Sequence, residues 1–174
     1  MTIRAMSGES PRLGRPSLVL AALVAAFAAL AVGPVAHPEP VSAGTAANME
    51  SKIRGWINNA RENRGLRPLK VTDKLRKLAG DRASTMARTG DLEHPDCLSC
   101  MLRNRNISFD TCAETIAFTT YPWGHQAARS IFNAWKGSSG HWDILMSRKL
   151  KRIGIGVAYR NSNDATFGAA VLAG

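Results

Sequence analysis

Residues 90–100 read GDLEHPDCLSC, and one His followed by two Cys three apart could serve three chemistries. It could be half of a zinc site, a redox pair, or part of a disulfide framework. Cys112 is the last Cys of the chain and, with His94, Cys97 and Cys100, completes a Cys3His donor set if the thiols stay reduced. A redox pair needs an exposed thiol of low pKa and usually a thioredoxin-like βαβ setting, which this sequence lacks. The compartment decides between the remaining two.

The N-terminus speaks to compartment. Arg4, Arg12 and Arg15 precede the uncharged run SLVLAALVAAFAAL, and HPEPVSAGTA then restores polarity. A basic start, an apolar stretch and small residues at Val41-Ser42-Ala43 predict a signal peptide over residues 1–43, with an uncleaved membrane anchor as the alternative. Residues 44–49 are read as a short linker and 50–174 as one domain. Export places the thiols in an oxidising setting, where a disulfide is favoured over zinc. A bridge from Cys100 to Cys112, or from Cys97 to Cys112, would tie the His94 loop to the segment after it.

About 130 residues follow the leader, enough to bury a core. The formal charge of the whole chain is +10, and nearly all of it lies after the leader. A solvated basic surface accounts for this, and attraction to an anionic surface such as lipid or cell wall is the functional alternative. No aromatic-interleaved basic stripe accompanies the charge, so no nucleic-acid partner is expected.

Three segments carry helical periodicity. ANMESKIRGWINNARENRG places Met49, Ile53, Trp56, Ile57 and Ala60 on one face, with Asn48 as a start signal, Gly65 as a stop and Pro68 beyond it. VTDKLRKLAGDRASTMARTG aligns Leu75, Leu78, Ala79, Ala83, Met86 and Ala87 between a Thr72 or Asp73 cap and Gly90. GHQAARSIFNAWKG aligns Ala128, Ile131, Phe132 and Trp135. RIGIGVAYR alternates Ile153, Ile155, Val157 and Tyr159 with small residues, which predicts a strand closely approached by its neighbours. NSND and ATFGAAVLAG read as a turn and the partner strand, and CAETIAFTTY as a further strand. The order predicts an α+β layered domain.

INNARENRGLRPLKV, LAGDRASTMARTGDLEH, CAETIAF, WKGSSGHWDIL and RIGIGVAY occur here in an order and spacing that resembles the CAP superfamily. Its members are cysteine-rich secretory proteins, antigen 5 and pathogenesis-related 1 proteins, and the domain is also called SCP. The likeness spans about residues 50–172 and is closest to the short bacterial form. It implies an α-β-α sandwich with a small antiparallel sheet between helices, a secreted, extracellular setting, and a cleft built from two His and two acidic residues. In several members that cleft is associated with a divalent metal, often zinc; others bind sterols, fatty acids or polysaccharide. His94, Glu114 and His141 match three of the four positions, and Trp142 follows the second His. The fourth, acidic position has no counterpart near Trp135.

The resemblance therefore implies a cleft at His94, Glu114, His141 and Trp142, with His94 and His141 as candidate zinc ligands. Glu114 could be a third ligand, a carboxylate that orients a His, or a general base. His125 reads as a surface or capping residue, and Trp56, Phe132 and Trp135 as core. Trp123 and Trp142 could line the cleft or pack. Ser138 and Ser139 lack a nucleophile motif, so no catalytic residue is assigned. The sequence thus supports a secreted binding module for a lipid-like or cell-envelope ligand. The alternative is a metal-dependent hydrolase in which the His pair polarises water and Glu114 takes its proton.

Overall fold

The computed structural model describes residues 43–174. The leader expected over 1–43 lies, but for its last residue, outside the described residues. Helix α1 (Ala43–Glu62) buries Met49, Ile53 and Ile57. It begins before the expected Asn48 cap, so the 44–49 stretch expected as a linker is helical instead. Ala43, Ala46 and Ala47 are strong helix formers and Ala46 packs on the core, which extends the helix despite Gly44. Gly65 ends the turn that follows in the left-handed region, with φ 64°.

Strand β1 (Lys70–Val71) leads into α2 (Asp73–Thr89), capped as expected. Thr72 Oγ1 accepts from the Leu75 N–H, and Gly90, at φ 89°, donates to the Met86 carbonyl. Then come α3 (Leu98–Asn104), β2 (Cys112–Thr119), α4 (His125–Gly137) and α5 (Ser139–Leu145). A hairpin of β3 (Arg152–Arg160) and β4 (Ala165–Ala173) closes the chain, joined by a short 3-10 turn and Asp164 at φ 50°.

The strands lie in the order β1-β3-β4-β2. β4 is antiparallel to both neighbours, whereas β1 runs parallel to β3, with Lys70 opposite Arg152. The sheet is therefore mixed rather than purely antiparallel. The departure comes from a two-residue strand that follows α1 directly and carries no alternation to read.

Both faces of the sheet are covered, as the sandwich expectation requires. On one side Ile153, Ile155, Val157, Ala170 and Leu172 meet α1 and α4 through Met49, Ile57, Ile131 and the fully buried Trp135. On the other, α2 lies directly on β3. A Cβ on Gly154 would stand 2.0 Å from the Leu75 carbonyl carbon, and one on Gly156 would stand 2.3 Å from that of Ala79. Only Gly allows that approach. It brings Leu75, Leu78 and Ala79 into contact with Val171 and Ala173 of β4, a central strand buried along its whole length.

The cysteines pair differently from the expectation. The bridge joins Cys97 to Cys100, with Cα atoms 5.2 Å apart, and neither reaches Cys112. Cys97 caps α3, and one helical turn brings the third residue onward back to the same side. Cys112 instead opens β2 and packs against the buried cluster of Leu75, Leu102 and Val171 that Leu98 and Met101 of α3 also cover. Burial raises its thiol pKa, and Arg103 lowers it in part.

Two outcomes follow from this packing. Gly156→Val forces α2 off the sheet and lowers unfolding free energy by about 3 kcal/mol, read by denaturant melting; wild-type stability would show that the helix does not lie this close. Mass spectrometry of peptides from non-reduced protein yields a Cys97–Cys100 link and an alkylatable Cys112.

Candidate functional site

The site begins with a residue that helical patterning passes over. Arg82 sits on the apolar stripe of α2 among Leu78, Ala79, Ala83 and Met86, with only 9% of its side chain exposed. A guanidinium there needs an anion. It finds Glu114, third residue of edge strand β2, whose side chain is 2% exposed. Arg82 Nε donates to Glu114 Oε1 at 2.8 Å, and Nη2 reaches Oε2 at 3.5 Å. Nη2 also donates to the carbonyl of Glu93, which holds the loop between α2 and α3.

His94 is the next residue of that loop. Its Nδ1 lies 2.9 Å from Glu114 Oε2. The partner is a carboxylate, so Nδ1 carries the proton as donor, and the neutral ring keeps its lone pair on Nε2. The ring is half in solvent, its side chain 54% exposed. Glu114 thus spends one oxygen on Arg82 and the other on His94, and acts as the acceptor that fixes the imidazole. The bonds through Glu93 and His94 tie this loop to β2, a role the sequence reading had given to a disulfide.

His141 enters from the opposite layer. It is the third residue of α5, is half-buried, and has a pKa lowered from 6.5 by burial first and by the neighbouring His94 second. Two cationic rings here would repel, so the pair favours at least one neutral imidazole. The sign follows: the unfolded chain takes up this proton at higher pH than the folded one. His141's contribution to stability is therefore complete above pH 6.5 and declines as pH falls toward the folded value.

Trp142 does not join the imidazoles in a recorded contact. Its ring meets Phe132 edge-on at 6.1 Å and lies under the Arg64 guanidinium at 5.3 Å, so it docks α5 onto α4 and the end of α1. Trp123 likewise packs on the core and against Tyr159. His125 is exposed and edges onto Trp56 at 5.6 Å, while Arg129 covers that indole at 3.7 Å. Trp56 is consequently a partly buried margin of the core.

A zinc ion does not suit this donor set. Catalytic zinc takes three protein ligands and structural zinc four. Glu114 is committed to Arg82 and to His94 Nδ1, which leaves His94 Nε2 and His141. Among the described residues no cluster of three or more His, Cys, Asp or Glu is arranged to hold a metal. Glu114 is buried, its side chain 2% exposed, and both its oxygens already accept from Arg82 and His94, which turns it toward those partners rather than toward solvent.

Residues 55–171 match the model of the cysteine-rich secretory protein family, CAP. The protein YkwD of Bacillus subtilis is 28% identical over 111 residues, which is 62% of this chain and 41% of that one. The fold is also that of an extracellular SCP-domain protein of Bacillus anthracis, with TM-score 0.65, 17% identity, and 77% of this chain against 44% of that one. An outer surface protein of Borrelia burgdorferi matches with TM-score 0.64 and 18% identity over 72% of this chain and 92% of its own. This chain spans less than half the length of the two Bacillus proteins. The helices stacked on both faces of a four-stranded sheet, and the family model running across most of the described residues, lead to one assignment: the chain belongs to the CAP, or cysteine-rich secretory protein, family.

Proposed function

We propose that this CAP domain works outside the cytoplasm as a binding module, with the His94 and His141 pair as the polar end of a site for a lipid-like or cell-envelope ligand. The observation that carries the reading is the Arg82–Glu114–His94 relay. It keeps a solvent-facing imidazole in one orientation and one tautomer. Such a ring accepts a hydrogen bond from a ligand hydroxyl or amide when neutral and meets an anionic group when protonated. The positioning cost falls on folding rather than on binding.

Several facts support an extracytoplasmic setting. The N-terminal pattern reads as an export signal, and a Cys97–Cys100 bridge persists in oxidising compartments. The Bacillus anthracis and Borrelia burgdorferi proteins of like fold are described as extracellular and outer-surface. Among the described residues no helix is long and apolar enough to cross a membrane. The hydrolase alternative needs a carboxylate turned toward a metal-bound water, and Glu114 is buried and turned toward Arg82 and His94.

Retention on purified peptidoglycan sacculi and on phospholipid vesicles tests the reading, at about 0.5 M salt, where screening shortens to below about 5 Å and charge attraction fades. The His94→Ala, His141→Ala double variant should stay folded, with a melting temperature lowered by the loss of the bond to Glu114, yet lose most retention. Retention equal to wild type on both matrices, or none by the wild type on either, would sink the proposal. Glu114→Ala should cost about 3–5 kcal/mol of stability by orphaning Arg82, measured by chemical denaturation.

A further inference from the structure

Two basic runs, RGLRPLK at residues 64–70 and SRKLKR at 147–152, are far apart in sequence. Parallel pairing of β1 with β3 sets Lys70 opposite Arg152, and the Lys70 N–H donates to the Lys151 carbonyl. The runs thereby wall a groove of about 490 Å³. Arg67, Lys70, Arg148, Lys151 and Arg152 line it, and among the described residues no carboxylate does.

A sixth cation lies at its base. Arg61 is 2% exposed, and its guanidinium donates to the carbonyls of Arg67, Leu145, Ser147 and Leu150. Four of its five N–H donors are spent, but among the described residues no acidic side chain in contact cancels its charge. Arg152 is partly spent too, donating to the carbonyls of Ser108 and Gly174. Among the described residues the side chains of Arg67, Lys70, Arg148 and Lys151 make no hydrogen bond or ion pair, so four cationic heads stand around one concavity without a partner there.

Edge protection explains only part of this. A lysine on a short edge strand discourages intermolecular pairing, and Lys70 fits that role. Arg67 and Arg148 lie outside the strands and gain nothing from it. Gathering like charges costs repulsion that an anion would relieve.

We infer that this groove binds a linear, phosphate-bearing polymer. Its extent favours a polymer over a single ion. A neighbouring groove of about 590 Å³ shares Arg148 and Lys151 and adds Lys149, with Asp110 as its one acidic side chain. The basic track therefore continues past the first concavity. A flat bilayer does not fit a concave cationic wall, and among the described residues Val71 is the only exposed large apolar side chain next to the groove residues. Nucleic acid is disfavoured because no aromatic ring lines the groove to stack a base. The inference is independent of the imidazole site, since β1 and β2 are opposite edges of the sheet.

Long-chain inorganic polyphosphate is the probe, titrated at low and moderate salt. Expected is binding that weakens steeply with salt, with Arg148→Glu, Lys151→Glu losing about tenfold or more in affinity. Arg67→Gln, Lys70→Gln should lose affinity as well and covers misfolding of the first variant. Arg88→Glu, Lys136→Glu changes net charge equally on exposed helix positions and should bind within about twofold of wild type. Equal losses in groove and control variants would overturn the inference, leaving only diffuse charge. So would no polyphosphate binding, orthophosphate binding as tight as the polymer, capture by phosphatidylglycerol vesicles without polyphosphate binding, or a single-stranded oligonucleotide binding tighter than polyphosphate.

Discussion

A guanidinium placed on the apolar stripe of a helix cannot be left alone, and the geometry of this domain's His site follows from how Arg82 is satisfied. Glu114 answers it across the junction of α2 and β2, at 2.8 Å and almost wholly out of water. Desolvating two charges is expensive, and an apolar pair of similar volume would hold α2 to β2 as well or better. What the ion pair adds is direction. The second carboxylate oxygen is aimed at His94, and the spare Arg82 donor holds the preceding peptide. A side chain on an otherwise exposed loop is thereby fixed by groups that are themselves fixed.

That arrangement depends on how closely the layers pack. Gly154 and Gly156 let the α2 backbone sit against β3, which sets the height at which Arg82 meets the edge strand. On the other face, Trp135, Ile131 and Phe132 anchor α4, and α5 follows after a single residue, bringing His141 toward the same end of β2. The His pair therefore comes from opposite layers of the sandwich. Neither ring is part of the core, yet both are positioned by it.

Much of this was legible where an element is long enough to repeat its pattern. The stripe of α2, with Thr72 and Gly90 at its ends, and the alternation of β3 read directly as structure, because several periods of burial are written into each. β1, α3 and α5 were not legible: two to seven residues hold at most two turns or one alternation. The parallel pairing that joins the two basic runs rests on the shortest of these. His94, Glu114 and His141 were recognised by likeness to a family, since nothing in their spacing brings them together. Arg82 was missed because charge on a helix is normally read as solvent-facing. The signal was its place on the buried stripe, four residues after Leu78 and four before Met86. The Cys pairing was open because a spacing of three suits a local bridge as well as a long one, and only the fold, which closes Cys97 onto Cys100 and leaves Cys112 at the start of β2, separates them.

Whether Glu114 holds His94 in a single state is read directly by long-range nitrogen–proton NMR on ring-labelled protein. The neutral His94 imidazole should carry its proton on Nδ1 and present Nε2 as an acceptor, and should average toward the free-imidazole mixture in a folded Glu114→Gln variant. A wild-type His94 carrying its proton on Nε2, or already averaged between the two tautomers, would contradict that single state.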